Sequence, residues 1–297
     1  MEKIETCEIC GNNNFSVYME SFDYFLSKEK FTIVRCEKCG FLFINPRPDI
    51  IEISRYYKSK EYISHSNSKK GLINKIYHIV RRRNHKNKYK IVQKYKNNGS
   101  ILDIGCATGE FLNFFKNCGW NVMGVEPDTD AQNLARTQYS LNVLSESVLN
   151  ERPKEKFDVI TMWHVLEHVH QLSIKIEQIK NYLVDDGIVI IAVPNAASKD
   201  ADIYRNFWAG YDLPRHLYHF TQKSIHDLFE KNDFVIIETI PMKFDSFYVS
   251  VLSEKYKTGN KNIIKAFLNG LKSNIWGTKN NNNFSSLIFV LKKINKK

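Results

Sequence analysis

The segment "LDIGCATGEF" (Leu102–Phe111) joins a short apolar run to an amphipathic one, and it is the strongest single indication of the fold. Gly105 and Gly109 lack a Cβ, so the main chain can turn sharply there and pass close to a ligand. The amphipathic run predicts a helix, whose N-terminus favours negative charge. The spacing D-x-G-x-x-x-G departs from the G-x-G-x-x-G of dinucleotide-binding turns.

Apolar runs and amphipathic stretches alternate on both sides of this turn. Such alternation is typical of βαβ units and predicts an α/β fold, a Rossmann-like doubly wound sheet that is mostly parallel and covered by helices on both faces. Helices are expected around residues 109–119, 174–183 and 224–230. The predicted strands are Ser100–Cys106, Asn121–Asp128, a short one near Val143, Phe157–Trp163, Gly187–Asn195, Phe234–Ile240 and Ser285–Lys293.

Two carboxylates at strand ends indicate the kind of ligand. Asp103 would repel a pyrophosphate and suits a ligand with cationic groups, such as an ammonium beside a sulfonium. Glu126, in "GVEPD", ends the second of these strands, where an acid can accept hydrogen bonds from both hydroxyls of a ribose. The ligand indicated is a nucleoside that carries cationic substituents.

The segments "LDIGCATGEFL", "GVEPD", "FDVITMWHVLEHV" and "LVDDGIVIIAVPN", in this order, resemble the motifs of class I S-adenosylmethionine (SAM)-dependent methyltransferases over about residues 100–195. The resemblance implies a methyl-transferring enzyme with a seven-stranded sheet whose last strand is antiparallel. It also implies that SAM lies over the carboxyl ends of the strands. The implied cofactor-binding residues are Asp103, Gly105 and Gly109 at the methionine part, Glu126 at the ribose, Asp128 at the edge of the adenosine site, and Trp163 and His164 flanking the cofactor.

Four cysteines near the N-terminus form two C-x-x-C pairs, "CEIC" and "CEKC", each followed by glycine and separated by 25 residues. Two such pairs supply the four tetrahedral thiolates that Zn²⁺ prefers, and a closed shell of this kind serves folding rather than catalysis. Disulfides are the weaker alternative in a reducing cytoplasm. We predict a zinc-ribbon-like module over residues 1–45 with the ligands Cys7, Cys10, Cys36 and Cys39.

Residues 46–97 are predicted to be a basic, tyrosine-containing helical linker to a methyltransferase domain at 98–297. No acid lies between Glu61 and Asp103, and that interval holds eleven lysines and arginines, as many as the net charge of +11. A basic stripe such as Lys69 to Lys96 can attract nucleic acid, anionic lipid or phosphorylated substrates; a solvated helix is the plainer alternative. Tyr56, Tyr57 and Tyr62 either close over SAM or pack among themselves.

Composition favours a cytoplasmic protein. The chain is 43% apolar and 25% charged, and it begins with a polar segment rather than an apolar run. No segment approaches the roughly 18 apolar residues of a membrane span.

The segment "WHVLEHV" contains His164 and His168 four residues apart. Such a pair can bind a metal, but the sequence indicates no third ligand nearby. We expect His164 to line the cofactor pocket, His168 to be structural, and Glu167 to orient the loop.

The segment "YDLPRHLYHFTQ" (Tyr211–Gln222) follows the fifth predicted strand and should therefore lie near the methyl group. It resembles a His- and Tyr-rich segment of sugar methyltransferases that combine a four-cysteine zinc module with a SAM domain. The resemblance implies that His216 is the general base, with Tyr211 and His219 as second choices. Pro214 and Arg215 replace a His-Glu pair of the C-methylating members, which favours O-methylation. The alternative is a rigid connection in which Asp212 and Arg215 pair.

The leading hypothesis is methyl transfer to a small-molecule acceptor, a sugar or nucleotide sugar, in the biosynthesis of bacterial surface glycans. In that case residues 245–279 would cover the substrate. An RNA methyltransferase is the alternative, with the zinc module and the basic linker holding RNA. Against it, "MWHV" stands where amino-methylating enzymes have an "NPPY"-like motif. A SAM-binding scaffold without activity is a third hypothesis.

Overall fold

The computed structural model describes residues 1–57 and 72–294, with side chains described from residue 83 onward in the helix that begins at Leu72. In chain order the strands are β1 (Phe15–Phe22), β2 (Lys30–Cys36), β3 (Leu42–Ile44), β4 (Ser100–Ile104), β5 (Asn121–Val125), β6 (Asn142–Leu144), β7 (Phe157–Trp163), β8 (Leu183–Pro194), β9 (Tyr218–His219), β10 (Phe234–Pro241) and β11 (Ser286–Lys293). The α-helices are α1 (Leu72–Gln93), α2 (Glu110–Asn117), α3 (Thr129–Tyr139), α4 (Leu172–Tyr182), α5 (Lys199–Tyr204), α6 (Gln222–Glu230), α7 (Asp245–Thr258) and α8 (Ile263–Lys279).

A seven-stranded sheet in the order β10-β11-β8-β7-β4-β5-β6 confirms the predicted α/β, Rossmann-like fold, with the last strands antiparallel. β4 pairs in parallel with β5 and β7, and β6 continues the sheet beyond β5. The residues of the central strands are apolar on both faces, as expected where helices cover a parallel sheet. In β8, Ile188 to Val193 are all buried. The seven strands predicted from apolar runs correspond to these seven.

A second sheet has four strands in the order β1-β2-β3-β9, all antiparallel. Its last strand is only two residues long and comes from the segment that contains His216. Phe43 of β3 pairs with Tyr218, and the rings of Phe41 and Tyr218 stack at 5.5 Å. The N-terminal cysteine segment is therefore part of a sheet that is completed more than 170 residues later in the chain.

The chain divides into two compact units. Unit 1 comprises Met1–Lys58, His164–Ser173 and Ile191–Val290, and unit 2 comprises Ser59–Trp163, Ile174–Ile190 and Leu291–Lys297. Within unit 1, residues 245–279, expected to cover the substrate, form α7 and α8. Within unit 2, α1 lies in the segment expected to be helical. Part of the predicted basic linker lies outside what the structure describes: Tyr62, Lys69, Lys70 and the side chains of Lys75, Arg81 and Arg82.

No helix in the described ranges 1–57 and 72–294 is both long and apolar enough to cross a membrane.

Candidate functional site

In unit 2, the glycine-rich turn between β4 and α2 has the backbone that its sequence requires. Gly105 and Gly109 have φ angles of +74° and +78°. The N–H groups of Gly105 and Cys106 donate to the carbonyl of Val125 at 2.7 and 3.1 Å, which ties the turn to the end of β5. A Cβ on Gly109 would lie 2.6 Å from Leu141 Cδ1. Glycine is thus required at position 109 by conformation and by space.

Glu126, buried at the end of β5, binds the glycine-rich turn through one carboxylate oxygen and its own loop through the other. Its Oε2 accepts from the backbone N–H of Ala107 at 2.8 Å, and its Oε1 accepts from that of Asp128 at 3.0 Å. Burial raises the pKa of Glu126, and the two N–H donors oppose that shift. Asp128 is the N-cap of α3, since its Oδ1 accepts from the N–H of Ala131 at 2.8 Å. The carboxylate assigned to the ribose is therefore held in a defined orientation.

Asp103 is buried in β4 and accepts a hydrogen bond from Thr161 Oγ1 at 2.6 Å. Burial raises its pKa to about 7, although the bond from Thr161 and the charge of Lys88 oppose the shift. A cation beside this carboxylate would favour its ionised form. This environment suits the role that the resemblance assigns to Asp103, which is to accept from a cationic group.

Lys88 of α1 is a residue that the sequence analysis missed. Its Nζ lies 4.0 Å from the centre of the Trp163 ring and 5.5 Å from that of Phe111. Trp163 is one of the residues assigned to flank the cofactor, so a protein cation already contacts that ring. Nothing in the run "RRRNHKNKYK" distinguishes Lys88 from its neighbours.

In unit 1, His164 has a positive φ of +57°, and its N–H donates to the carbonyl of Ala192 at 2.9 Å. Its imidazole lies between two acids, with Nε2 3.5 Å from Asp245 Oδ2 and Nδ1 3.4 Å from Glu167 Oε1. Burial disfavours the charge on this ring, but Asp245 and then Glu167 outweigh it and raise the pKa to about 10. His164 is therefore protonated at neutral pH. His164 and His168 do not share a helix, because only Leu166–His168 forms a short 3₁₀ turn.

Glu167, His168 and His216 form a cluster, and their ligand-type atoms all lie within 4.8 Å of one another. The imidazole rings of His168 and His216 meet edge to face at 4.7 Å. Glu167 is fully buried, and neither of its oxygens accepts a hydrogen bond from any described residue. The cluster does not include His164, so the expected His164–His168 pair is not part of a three-ligand group; position 216 instead joins Glu167 and His168.

Two backbone carbonyls lie within hydrogen-bond distance of the histidines in this cluster. Nδ1 of His216 lies 2.9 Å from the carbonyl oxygen of Gly210, and Nδ1 of His168 lies 2.9 Å from that of Arg215. Because a carbonyl only accepts, Nδ1 of His216 donates to Gly210, which leaves Nε2 for other contacts; Nδ1 of His168 also lies 2.8 Å from the hydroxyl of Tyr57. The Nε2 of His216 is 4.0 Å from Glu167 Oε1.

The rest of the "YDLPRHLYHFTQ" segment is packed. Arg215 is buried and donates to Asp212 at 2.7 Å and to Asp23 at 3.1 Å, so the Asp212–Arg215 pair of the alternative reading is formed. Tyr211 and His219 are 2% and 3% exposed, and their rings meet edge to face at 4.9 Å. Burial raises the pKa of Tyr211 and lowers that of His219. Neither environment favours a base that must reach an acceptor.

The four N-terminal cysteines cluster in unit 1. Cys7 Sγ is 3.6 Å from Cys39 Sγ, and Cys10 Sγ is 3.5 Å from Cys36 Sγ. Sulfurs at the corners of a zinc tetrahedron are about 3.8 Å apart, given a Zn–S bond of about 2.3 Å. A glycine with positive φ follows each C-x-x-C pair, Gly11 after Cys10 and Gly40 after Cys39, and allows the backbone to turn there. The cluster is compatible with a zinc ion.

Comparison with known proteins places the chain in a family. A family model described as "Methyltransferase domain" matches residues 76–239, more than half of the 297 residues. A ubiquinone biosynthesis O-methyltransferase from Glaesserella parasuis is 34% identical over 110 residues, which are 33% of this chain and 47% of that protein. A protein of the same name from Actinobacillus pleuropneumoniae is 30% identical with the same coverage. The chain spans about half the length of the curated relatives that it matches.

A solved structure agrees with the fold. The magnesium protoporphyrin IX methyltransferase of Synechocystis PCC 6803, with bound S-adenosylhomocysteine, aligns with a TM-score of 0.54 at 12% identity and covers 82% of this chain and 100% of its own. The family match covers the glycine-rich turn, the acid at the end of β5 and every strand of the seven-stranded sheet except β11 and the last two residues of β10. The chain therefore belongs to the methyltransferase-domain family.

Proposed function

We propose that the protein transfers the methyl group of SAM to a hydroxyl of a small, sugar-like acceptor. The observation that carries the acceptor chemistry is the position of His216, whose Nδ1 lies 2.9 Å from the carbonyl oxygen of Gly210 and whose Nε2 lies 4.0 Å from the buried carboxylate of Glu167. The curated relatives are named O-methyltransferases, which supports oxygen as the atom methylated. The sugar-like acceptor rests on the resemblance of "RHLYHFT" (215–221) and the four-cysteine segment to sugar methyltransferases.

In this proposal the glycine-rich turn and its acids hold SAM. Gly105 and Gly109 admit the methionine part close to the backbone, and Asp103 accepts from its ammonium. Glu126 accepts from the ribose hydroxyls, and Asp128, Trp163 and His164 line the cofactor. The defined orientation of Glu126 and the position of Asp103, held by the hydrogen bond from Thr161, support these roles.

His216 would remove the proton of the acceptor hydroxyl. The acceptor oxygen attacks the methyl carbon in line with the leaving sulfur, a C–O bond forms, and the C–S bond breaks to leave neutral S-adenosylhomocysteine. The hydroxyl proton passes to Nε2 of His216, and the resulting imidazolium is stabilised by Glu167. Tyr211 and His219 remain the second candidates for this role.

We propose that Cys7, Cys10, Cys36 and Cys39 hold a structural Zn²⁺. The sulfur separations support it, as do the backbone N–H groups of Gly11 and Gly40, which donate to the carbonyls of Cys7 and Cys36. An ion with four protein ligands has no open position and would stabilise the fold of residues 1–45.

The test is incubation with methyl-labelled SAM and separate pools of nucleotide sugars, isolated glycans, ubiquinone precursors and RNA. We expect the label in a nucleotide sugar or a glycan, where it should be present as the methyl ether of a sugar hydroxyl. Label in RNA, with binding that weakens steeply as salt rises, would support the RNA alternative instead. Label in a ubiquinone precursor alone would keep O-methylation and overturn the sugar acceptor.

A further inference from the structure

The helices α7 and α8 of unit 1 bury faces made of small residues. In α7 the buried positions include Ser246, Ser250 and Ser253. In α8 they are Ala266, Gly270, Ser273 and Gly277. A Cβ on Gly270 would lie 3.1 Å from the Cα of Phe247, so the two helices approach closely at this point. The inner side of α8 therefore has no room for a large side chain at position 270, where Phe247 of α7 packs against it.

The large apolar residues of α8 point outward. All six of its isoleucines, leucines and phenylalanine are at least 40% exposed: Ile263, Ile264, Phe267, Leu268, Leu271 and Ile275. Phe244 and Tyr248 add exposed rings near the start of α7, at 80% and 67%. We call this set the apolar face. A surface helix of a globular protein normally buries its large apolar side chains and exposes its polar ones. Contiguous exposed apolar patches mark interaction sites.

Positive charge borders the apolar face. Residues 243–279 contain seven lysines and only two acids, Asp245 and Glu254. Glu254 is buried and lies 3.4 Å from Lys265 Nζ, and Asp245 lies 3.5 Å from His164, so both acids already face a basic group. Lys265, Lys272 and Lys279 recur every seven residues and therefore lie on one side of α8. These lysines therefore form a cationic border beside the exposed apolar side chains.

We propose that the apolar face docks on the surface of an anionic lipid bilayer, with α8 lying in the plane of the interface. An amphipathic helix with lysines beside a stripe of large apolar residues has the composition of such interfacial helices. A second copy of the chain would bring the same excess of lysines to the contact, and like charges disfavour that pairing. A bilayer that contains anionic lipid complements both the apolar residues and the lysines. This inference does not depend on the identity of the methyl acceptor.

Sedimentation with vesicles tests the proposal on the full chain. We expect the protein to sediment with vesicles of phosphatidylglycerol and phosphatidylcholine, and much less with phosphatidylcholine alone. Ile264→Glu combined with Phe267→Glu should reduce binding at least tenfold, because both side chains would carry charge into the interface. Lys272→Gln and Lys279→Gln should each reduce binding by about fivefold and flatten its salt dependence.

A matched control is available on the same unit. Ile50 and Ile51 are 70% and 82% exposed but lie outside the apolar face. The variant Ile50→Glu/Ile51→Glu should bind vesicles as the wild type does, and thermal unfolding should show that both double variants are folded. Absence of binding to anionic vesicles, equal loss in the control, or a dimer in solution that the Ile264→Glu/Phe267→Glu change dissociates would each overturn the proposal.

Discussion

Nδ1 of His216 lies 2.9 Å from the carbonyl oxygen of Gly210, and Nε2 of the same ring lies 4.0 Å from Oε1 of the buried Glu167. A histidine anchored in this way can take a proton at Nε2 without changing its orientation. The backbone of the preceding 3₁₀ turn, Ala209–Tyr211, therefore fixes the orientation in which His216 would act in the proposed reaction.

His216→Asn should lower turnover by about 10²- to 10⁴-fold, the usual contribution of a general base, and leave the affinity for SAM nearly unchanged. Turnover is measured with labelled SAM and affinity by calorimetry. His226→Asn is the matched control, because His226 is a solvent-exposed histidine of α6 with a side chain 58% exposed. Wild-type turnover in His216→Asn would remove the residue from the mechanism.

Divalent cations should not stimulate turnover if the free imidazole of His216 takes the proton. The cluster of Glu167, His168 and His216 could hold a cation, and a bound cation would occupy the same lone pair. Turnover is therefore compared with and without added Mg²⁺, Mn²⁺ and Zn²⁺. Stimulation that disappears in both His168→Asn and His216→Asn would contradict the base role and assign the cluster to a metal.

Glu126→Gln should weaken SAM binding by about 10- to 100-fold. The carbonyl of glutamine can replace only one of the two oxygens that accept from Ala107 and Asp128, and a charged acceptor bond contributes about 1.5–3 kcal/mol. Binding is measured by calorimetry. Asp130→Asn, an exposed change in α3, is the control and should bind SAM normally. Equal affinities in the two variants would reject the ribose assignment.

The ion pair between His164 and Asp245 should stabilise the fold in a defined pH range. The pKa of His164 is raised to about 10, so its stabilising contribution is complete below the unfolded value near 6.5 and is lost as the pH rises toward 10. The difference in urea midpoint between wild type and Asp245→Asn should therefore shrink from pH 6 to pH 10. Asp202→Asn, which removes a surface pair with Lys199, should show no such trend.

About one zinc per chain should copurify with the protein. Cys36→Ser and Cys7→Ser should lower the zinc content and the thermal stability together, because the missing thiolate opens the tetrahedron. Cys118→Ser, at an exposed cysteine outside the cluster, should change neither. A folded wild-type protein free of zinc would refute the metal assignment.

The seven-stranded sheet was predictable because its information is local. Each of its strands is a short apolar run bounded by polar or glycine residues, as in Ser100–Ile104 before Gly105. The two-residue strand β9 carries no such pattern and exists only because Phe43 lies beside it. The apolar periodicity of α8 would place Ile264 inside, whereas the buried face consists of glycine, serine and alanine.

The residues of the candidate site also differ in whether a local sequence pattern identifies them. Asp103, Gly105, Gly109 and Glu126 were identified because their spacing around one turn is a local signal. The cluster at His216 depends on a contact across about fifty residues, and the Asp23–Arg215 pair spans 192. The contact of Lys88 with Trp163 depends on the packing of α1. No local sequence pattern distinguishes this lysine from the others near it.

The strand β9 has a consequence for how this chain can be divided. Tyr218, which follows His216 by two residues, pairs with Phe43 of β3. The strand next to β3, β2, ends at Cys36. A chain cut before residue 46 would leave β9 without the strand that it pairs with in the described structure. The cysteine segment and the histidine loop therefore belong to one sheet, and removal of residues 1–45 should disturb the loop that carries His216.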